Sequence, residues 1–422
     1  MQFDFAPRFN ILTGDNGLGK TFILDVAWWA LTRTWATQPA WPHPGKGREA
    51  QIVYGYEAKS KSAHELVGKY NIEEEDWTIQ RGRPGMTGLV LYMRIDGGFS
   101  VWDPARNYWK KIVSRGYHEP DRPAAFNFSA REVWEGMAVE GGPTLCNGLI
   151  RDWVTWQDRN GTEFMWLRKV LESLSAGETE RLAPGPHMRV HVNESRDFPT
   201  LALPYGNVPV IFASAGMRRI LALAYLIVWT YTEHISAARL VGDAPTNRFT
   251  VLIDEVEAHL HPQWQRMILP AVSRAFFKME YVNGREFHLE YPEIQVIAST
   301  HAPLIMASIE PFFDATTDKV IGLDIENGAV LAKDLVWRKR GDATAWLTSE
   351  VFDLASGRSL KAESTIEEAS RIMKQEDIDA DAARRIHAEL QAVLGDTDPF
   401  WIRWCYLGQR KGWLNDSSAT AE

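Results

Sequence analysis

The sequence predicts an α/β fold in which helices cover both faces of a mixed, mainly parallel core sheet. Two runs that are apolar on both faces, Phe249–Ile253 and Ile294–Ala298, are each followed by polar residues, as buried parallel strands usually are. A third apolar run, Phe9–Thr13, ends in a glycine-rich turn and precedes helical periodicity over Thr21–Trp35. A further apolar helix is predicted over Met217–His234. Buried strands that alternate with helices indicate a sheet covered on both sides.

The rest of the chain has different patterning. Short alternating segments between turn formers predict an antiparallel β-subdomain at about 51–104, and single helices are predicted over Trp153–Leu174 and Ile366–Leu394. The predicted parts are a main domain over 1–335, which includes that subdomain and a helical lobe at about 130–235, a mostly helical C-terminal extension over 336–414 and a disordered tail over 415–422.

Composition narrows the class of protein. The 422 residues are 45% hydrophobic and 24% charged, which is typical of globular proteins. A net charge of −9 does not indicate a nucleic-acid partner, although it leaves one open. Two cysteines provide no disulfide framework, and no apolar run approaches the ~20 residues of a membrane span. We therefore expect a cytoplasmic protein without a membrane partner.

The clearest chemical motif is the phosphate-binding pattern G-x-x-x-x-G-K-S/T at residues 14–21, between the first predicted strand and helix. Its glycines let backbone N–H groups surround phosphate oxygens, and the helix N-terminus adds positive potential. Lys20 is predicted to hold the β- and γ-phosphates, and the Thr21 hydroxyl to ligate Mg²⁺. The other predicted nucleotide contacts of this loop are Gly14, Asn16, Gly17 and Gly19.

Two adjacent acids follow the second buried strand, in Val251-Leu-Ile-Asp254-Glu255. Ligands of open α/β sheets bind outside the carboxyl ends of the strands, which is where these acids would lie. Asp254 is predicted to hold Mg²⁺, and Glu255 to orient or deprotonate the attacking water. Considered alone, the pair is better explained as a cap of the following helix; together with the first motif, the catalytic interpretation is preferred.

Two further motifs supply donors. His301, in Ile297-Ala-Ser-Thr-His301-Ala-Pro303, follows the next predicted strand, from which it can reach a γ-phosphate or the attacking water. Ser214 and Gly216 begin the long apolar helix and offer a hydroxyl and a backbone N–H of the anion-binding type. Taken by itself, Ser214 is better explained as a helix N-cap.

In this order, the four motifs resemble those of ABC/SMC-type P-loop ATPases. The correspondences are Gly14–Thr21 with Walker A, Ala213–Arg219 with a diverged signature motif, Val251–Glu255 with Walker B and Ser299–Pro303 with the histidine switch. The run Glu255–Pro262 is similar to the D-loop of the RecF- and OLD-like branch rather than to that of transporters. The likeness covers roughly residues 1–330 and implies an ABC-type ATPase head.

The resemblance carries implications for chemistry and assembly. It implies ATP and Mg²⁺ as cofactors and ATP hydrolysis, with Lys20, Glu255 and His301 as catalytic residues. In this family the signature of one subunit closes over ATP held by the Walker motifs of another. A homodimer or higher homo-oligomer is therefore implied, with Ser214 and Gly216 acting on the nucleotide of the second copy.

The sequence departs from the family pattern in places. The signature lacks its usual leucine, and the string Leu174-Ser-Ala-Gly-Glu178 fits the consensus better by letters. That string lies further from Walker B and precedes no long apolar helix, so Ser214 is preferred to Ser175. The strand before the P-loop is short, and Gln157 is the candidate for the glutamine that normally contacts nucleotide and metal.

The C-terminal part bears on the biological role. Asp377-Ile-Asp-Ala-Asp381 has the spacing of nuclease acids but precedes a helix, so these residues are predicted to cap it and no nuclease site is expected. Leu347–Leu354 and Arg358–Glu363 resemble the tail of standalone ATPases in bacterial anti-phage systems, of the Septu and retron types. That likeness implies a sensor or regulatory ATPase with a separate effector nuclease.

Three alternatives remain at this point. A RecF-like DNA repair or clamp ATPase would need a basic track, for which Arg338–Arg340 and Arg81–Arg83 are the candidates. The lack of a long heptad run argues against DNA-tethering repair ATPases. The D-loop run argues against a transporter subunit. A monomeric P-loop kinase would need neither Ser214 nor a second copy.

Overall fold

The computed structural model describes residues 1–43, 49–58, 61–78, 88–107, 123–177, 181–277, 293–352, 354–375 and 378–414. The strands found there are β1 (Phe9–Thr13), β2 (Gln51–Ala58), β3 (Lys61–Asn71), β4 (Asp76–Trp77), β5 (Leu89–Met93), β6 (Phe99–Trp102), β7 (Phe126–Phe128), β8 (Met137–Ala138), β9 (Thr144–Cys146), β10 (Pro184–Arg189), β11 (Asp197–Leu203), β12 (Gly206–Pro209), β13 (Arg248–Ile253), β14 (Glu293–Ser299), β15 (Lys319–Glu326) and β16 (Ala329–Leu335). The α-helices are α1 (Lys20–Thr32), α2 (Ala130–Glu135), α3 (Leu149–Arg159), α4 (Thr162–Ser173), α5 (Ala215–Val241), α6 (Pro262–Gln265), α7 (Ile268–Phe277), α8 (Pro303–Ile309), α9 (Ala343–Leu347), α10 (Leu360–Met373), α11 (Ala380–Val393) and α12 (Phe400–Lys411).

A mixed sheet of eight strands forms the centre of Met1–Trp346, the first of two compact units. The strand order is β16-β15-β1-β14-β13-β5-β6-β7. The five strands from β15 to β5 are parallel to their neighbours, whereas β16, β6 and β7 extend the sheet in antiparallel fashion. Strand β14 lies between β1 and β13, so the three segments that follow these strands emerge at the same edge. The predicted mixed α/β core sheet is confirmed.

Burial on both faces of this sheet explains its apolar strands. On one face, Leu24 and Trp28 of α1 pack into a cluster with Leu12, Tyr92 and Leu252. Side chains of the opposite parity in the same strands are equally buried; examples are Ile11, Leu91, Val251 and Val296. Helices α5 and α7 also contact the sheet. A strand buried on both faces is read as a continuous apolar run, which is why β1, β13 and β14 were predictable.

The predicted antiparallel subdomain at 51–104 is only half correct. Strands β2, β3 and β4 pair antiparallel with one another in separate sheets from the core. Strands β5 and β6 instead belong to the core sheet, because β5 pairs in parallel with β13. All five residues of Leu89–Met93 are buried, which is the mark of a core strand rather than of a half-exposed one. The turn former Arg83-Pro-Gly lies outside the described residues.

The region predicted as a helical lobe, 130–235, contains α2 to α5 together with the antiparallel sheet β10-β11-β12. The single helix predicted over Trp153–Leu174 is two helices, because Asn160 ends α3 in the left-handed conformation. Helix α5 is longer than predicted. Its most apolar window meets the length and composition of a membrane span, but 72% of that window is buried inside the fold, as in a core helix.

The chain divides into two compact units, Met1–Trp346 and Leu347–Glu422. In the second unit α10, α11 and α12 pack around Leu390, Phe400 and Trp404. The helix predicted over Ile366–Leu394 is therefore α10 and α11. Asp379 caps α11 by accepting a hydrogen bond from the backbone of Asp381, as its position before the helix predicts. Asp377 and the tail 415–422 lie outside the described residues.

Candidate functional site

The P-loop links β1 to α1 in a conformation that needs its glycines. Gly14, Gly17 and Gly19 all have positive φ, of 127°, 81° and 88°. At Gly14 a Cβ would lie 2.4 Å from the carbonyl oxygen of Leu323, so both the backbone angle and the space require glycine there. The loop therefore turns its backbone toward the first turn of α1, as a phosphate cradle requires.

Lys20 is held inside this loop. Its Nζ donates to the carbonyl oxygens of Gly14, at 2.7 Å, and Asp15, at 2.9 Å, and the residue is 6% exposed. Burial lowers the pKa of the ammonium group, against the opposing effect of Glu255, Glu257 and other nearby carboxylates. The cation is thus fixed beside the loop that would receive phosphates.

The P-loop and the end of β13 are joined directly. The Thr21 hydroxyl donates to Oδ2 of Asp254 at 2.8 Å, and the Ser299 hydroxyl donates to Oδ1 of the same carboxylate at 2.7 Å. Asp254 is 1% exposed. A hydroxyl and a carboxylate in contact are hard oxygen ligands of the kind that Mg²⁺ prefers. The structure thus brings the two predicted metal ligands together, although it does not test their function.

Glu255 adopts an unusual backbone conformation. Its φ is 45°, and its backbone N–H donates to the Ser299 hydroxyl at 2.7 Å. His259, four residues later, also has a positive φ, of 62°. Non-glycine residues held in this region cost free energy and cluster at functional sites. While Asp254 accepts two hydrogen bonds, the Glu255 carboxylate accepts none from the described part of the chain, so it is available to a water molecule.

The segment after β14 is anchored by Glu257. The Glu257 carboxylate accepts from the Thr300 hydroxyl at 2.7 Å and from the backbone N–H of His301 at 2.8 Å. The His301 ring lies 3.4 Å from the same carboxylate and stays accessible to solvent, with 39% of its side chain exposed. The predicted catalytic histidine is therefore positioned at this edge through its backbone, and its ring, beside the Glu257 carboxylate, is exposed enough to contact a ligand.

Arg219, in the second turn of α5, contacts the backbone of the strand end that carries the two acids. Its guanidinium donates to the backbone carbonyl of Asp254 at 3.0 Å. Burial lowers the pKa of this group, while Asp254, Glu255 and Glu257 raise it. The side chain ties the signature helix to the strand end that carries the two acids.

Asp25 adds a fourth carboxyl group near this edge. Tyr92 donates to it at 3.1 Å. Burial, with a smaller contribution from the negative charge of Asp254, raises the pKa of Asp25 from 3.8 to about 6, and the Tyr92 hydrogen bond opposes the shift. Asp25 therefore ionises less readily than an exposed carboxyl group, mainly because it is buried.

The signature segment forms a second, separate surface. Ser214 caps α5 and is exposed, and its hydroxyl oxygen accepts from the backbone N–H of Met217 at 3.3 Å. Gly216 is buried against the D-loop, since a Cβ there would lie 2.6 Å from the carbonyl oxygen of His259. Both of these predicted nucleotide contacts line a concave surface between α5 and the D-loop, which encloses a volume of about 550 Å³.

The remaining candidates are engaged elsewhere. Gln157 of α3 donates to the carbonyl oxygen of Gly185 in β10 at 2.9 Å, so its role toward nucleotide stays a prediction. Ser175 donates to Leu171 and accepts from Leu182, which closes the end of α4 instead of starting a helix. This arrangement favours Ser214 as the signature serine.

The segment that carries three of the four motifs matches a known family. Residues 169–307 match the family described as "AAA domain, putative AbiEii toxin, Type IV TA system". The matched part contains the signature, Walker B and switch segments. The predicted resemblance to P-loop ATPases of defence-type systems is confirmed by this match and by the curated relatives.

The chain is also similar in sequence to three curated proteins of retron and Septu systems. The chain is 23% identical over 171 residues to the retron Ec83 probable ATPase of Escherichia coli. The aligned segment covers 39% of this chain and 26% of that protein. It is 37% identical over 59 residues to the retron Vc95 probable ATPase of Vibrio cholerae serotype O1 biovar El Tor, covering 14% and 9%. It is 33% identical over 104 residues to the Septu protein PtuA of Bacillus mycoides (strain KBAB4), covering 25% and 12%. The chain thus spans about a quarter of the length of the first relative, and less of the other two.

Two solved structures of low identity align with most of this chain. The SMC head domain from Thermotoga maritima aligns with a TM-score of 0.35 and 11% identity over 79% of this chain and 93% of that domain. The recombination mediator protein RecF aligns with a TM-score of 0.32 and 11% identity, over 80% of this chain and 94% of that protein. The fold assignment above rests on the strand order and pairing.

Three residues of the site were missed from the sequence. Ser299 bridges Asp254 and Glu255, Glu257 holds the segment of His301, and Arg219 supports Asp254. All three lie inside motifs that were found. The signal was therefore their position within the motifs, since a serine, a glutamate and an arginine have no distinctive pattern of their own.

Proposed function

We propose that this chain binds and hydrolyses ATP with Mg²⁺, as a homodimer in which two copies complete each site. The observation that carries the proposal is the contact of the Thr21 hydroxyl with Asp254, which closes the P-loop onto the acid-bearing end of β13. Together with the adjacent Lys20 and Glu255, it supplies the groups that P-loop chemistry needs.

Each residue of the site has a proposed role that follows from its position. Lys20 and the N–H groups of the P-loop would bind the phosphates. Thr21 and Asp254 would hold Mg²⁺, which neutralises charge on the phosphates when bound. Glu255, whose carboxylate accepts no hydrogen bond from the described residues, would orient or deprotonate the attacking water, and His301 would contact the γ-phosphate or that water.

The dimer is proposed from the separation of two kinds of surface. The P-loop edge carries its own charged groups, while Ser214 and Gly216 lie on a surface with the D-loop and provide donors without a phosphate-binding loop beside them. Donors aimed at a developing negative charge stabilise a transition state. A two-fold pair would bring this surface of one copy over the P-loop of the other.

The biological role proposed is that of a regulatory ATPase in a defence system, with a separate nuclease as effector. This step is supported by the retron and Septu relatives. Because the matches cover a quarter of those proteins or less, the partner of this chain is proposed from the resemblance alone.

Complementation tests the shared site. Lys20→Ala and Ser214→Arg chains are each expected to be inactive in ATP turnover, since one lacks the phosphate cation and the other blocks the signature. Mixed in equal amounts, they should recover about a quarter of the parental rate, because half of the dimers are mixed and each has one of two sites intact.

The controls separate binding from assembly. Titration calorimetry should show that Lys20→Ala loses most ATP affinity and that Ser214→Arg keeps it, since its own P-loop is unchanged. A mixture that stays inactive, together with a parental protein that light scattering shows to be monomeric with and without ATP, would exclude the two-fold site and favour the kinase-like alternative.

A further inference from the structure

The concave surface beside the signature is shared between two chain segments. Ser214, Ala215 and Gly216 form one wall, and the opposite wall consists of His259, Leu260, His261 and Trp264. The two walls are fixed to each other, because Gly216 lies directly against the carbonyl group of His259. A ligand that reaches Ser214 therefore also meets the D-loop wall.

The chemistry of this lining suits an anion. In a chain of net charge −9, the lining contains no carboxylate. The Ser214 oxygen accepts from the backbone N–H of Met217, which leaves the Ser214 hydroxyl hydrogen available as a donor. The indole N–H of Trp264 is already used, since it donates to the carbonyl oxygen of Leu174 at 2.9 Å. The donors that remain are Ser214, the first N–H groups of α5 and the two imidazoles.

The helix cap formed by His261 determines which of its ring nitrogens can donate a hydrogen bond. It is the N-cap of α6, and its Nδ1 accepts from the backbone N–H of Gln263 at 3.4 Å. A neutral imidazole carries one proton, so a ring whose Nδ1 accepts must carry that proton on Nε2. The residue is exposed. The cap therefore orients the ring and leaves Nε2–H available to a ligand in the concave surface.

We propose that His261 donates through Nε2–H to the terminal phosphate of ATP bound by a second copy of this chain, beside the donors Ser214 and Gly216. This inference rests on the proposed dimer and adds a residue of the D-loop to its site. In place of the cationic side chain that many P-loop enzymes insert from a partner, this chain supplies an imidazole that its own helix cap keeps in one tautomer.

His261→Ser is the informative variant, because serine is also a favoured N-cap and keeps the start of α6. We expect an unchanged melting temperature and unchanged ATP affinity by calorimetry, with ATP turnover lowered by about tenfold or more, as for loss of a hydrogen bond to a charged group. His261→Asn, which also caps, is the second variant. His191→Ser, an exposed histidine away from this surface, is the matched control and should turn over ATP at the parental rate.

Mixing identifies the copy on which His261 acts. With Lys20→Ala, the His261→Ser chain should recover activity as the Ser214→Arg chain does, since one site of the mixed dimer has an intact P-loop and an intact opposing surface. If the Ser214 mixture recovers and the His261 mixture does not, His261 serves its own P-loop and the inference is wrong while the dimer stands. Parental turnover in both His261 variants also overturns it. If neither mixture recovers, the dimer and this inference fail together.

Discussion

The two halves of the proposed site differ in charge and in how completely their polar groups are paired. At the P-loop edge, burial lowers the pKa of Lys20, and the nearby carboxylates of Asp254, Glu255 and Glu257 oppose that shift. Burial, with a smaller contribution from the charge of Asp254, raises the pKa of Asp25. Thr21, Asp254 and Ser299 are joined by hydrogen bonds there. The surface of Ser214 and His261 has no carboxylate and offers unused donors.

The two halves would therefore suit opposite charges of one ligand. The carboxylates at the P-loop edge, beside Lys20 and Arg219, are oxygen ligands of the kind that Mg²⁺ prefers, whereas the donors around Ser214 are of the kind that binds phosphate oxygens. In the proposed dimer, ATP with its metal would complement both. Three substitutions test this contrast.

The largest effect is expected from Glu255→Gln, which keeps the shape of the side chain and removes its basicity. ATP turnover should fall by roughly 10²- to 10⁴-fold, as is typical when a general base is lost. ATP binding should persist, and light scattering should show more dimer with ATP than for the parental chain. Glu140→Gln, at an exposed position, is the control. Turnover at the parental rate would transfer the base role to another residue, with His301 first.

A smaller loss is expected from Gly216→Ala on the donor surface. The added methyl group would lie 2.6 Å from the His259 carbonyl oxygen, so the signature and D-loop walls must separate. Overpacking of this kind typically costs about 1–3 kcal/mol, and we expect ATP turnover to fall about tenfold with ATP affinity kept. Gly395→Ala, where no atom lies within 4 Å of the added Cβ, should leave turnover unchanged. Equal rates for the two variants would show that the fit of these walls does not matter.

The smallest effect concerns stability at the acid-rich edge. Because the pKa of Asp25 is raised to about 6, the folded state binds the extra proton between about pH 4 and 6, and stability falls as pH rises through that window. Asp25→Asn removes this penalty and still accepts from Tyr92. Without nucleotide, its free energy of unfolding should exceed that of the parental chain by up to ~3 kcal/mol at pH 8, since each pKa unit is worth about 1.4 kcal/mol.

The pH dependence is the check on that cause. Denaturant titrations at pH 4 and pH 8 should give nearly equal stabilities of the two chains at pH 4 and a gap at pH 8. A gap that is the same at both values would mean that a lost contact, rather than the charge of Asp25, decides the outcome.

Much of the fold could be predicted, because its main signals are local. The runs of β1, β13 and β14 are apolar on both faces, and the glycines before α1 are required by the backbone of the loop. The pairing of β5 with β13 could not be predicted, since it joins residues about 160 positions apart. The break within the helix predicted over Trp153–Leu174 was missed because Asn160 tolerates both a helix and the left-handed turn that ends one.

The same distinction applies to the site. That Lys20, Thr21, Asp254 and Glu255 lie close together could be predicted, because each follows a parallel strand of the same sheet; their roles toward phosphate and metal stay predictions. The bridge through Ser299 and the support from Arg219 depend on how β14 and α5 are placed beside β13, which no local pattern records. Gln157 is bonded to β10 in the described structure, and its assignment remains a prediction.

Helix α5 extends as two arms of unequal length on either side of Arg219. Its 27 residues begin after the Ser214 cap, and Arg219, five positions from Ser214, ties the helix to the backbone of Asp254. The helix ends at Gly242, twenty-three positions beyond Arg219, so the arms measure roughly 7 Å and 35 Å at 1.5 Å per residue. Were the helix to rotate as a rigid body about Arg219, its far end would move roughly 4–5 times as far as the signature. The exposed side chains of Leu240 and Val241 stand at that end.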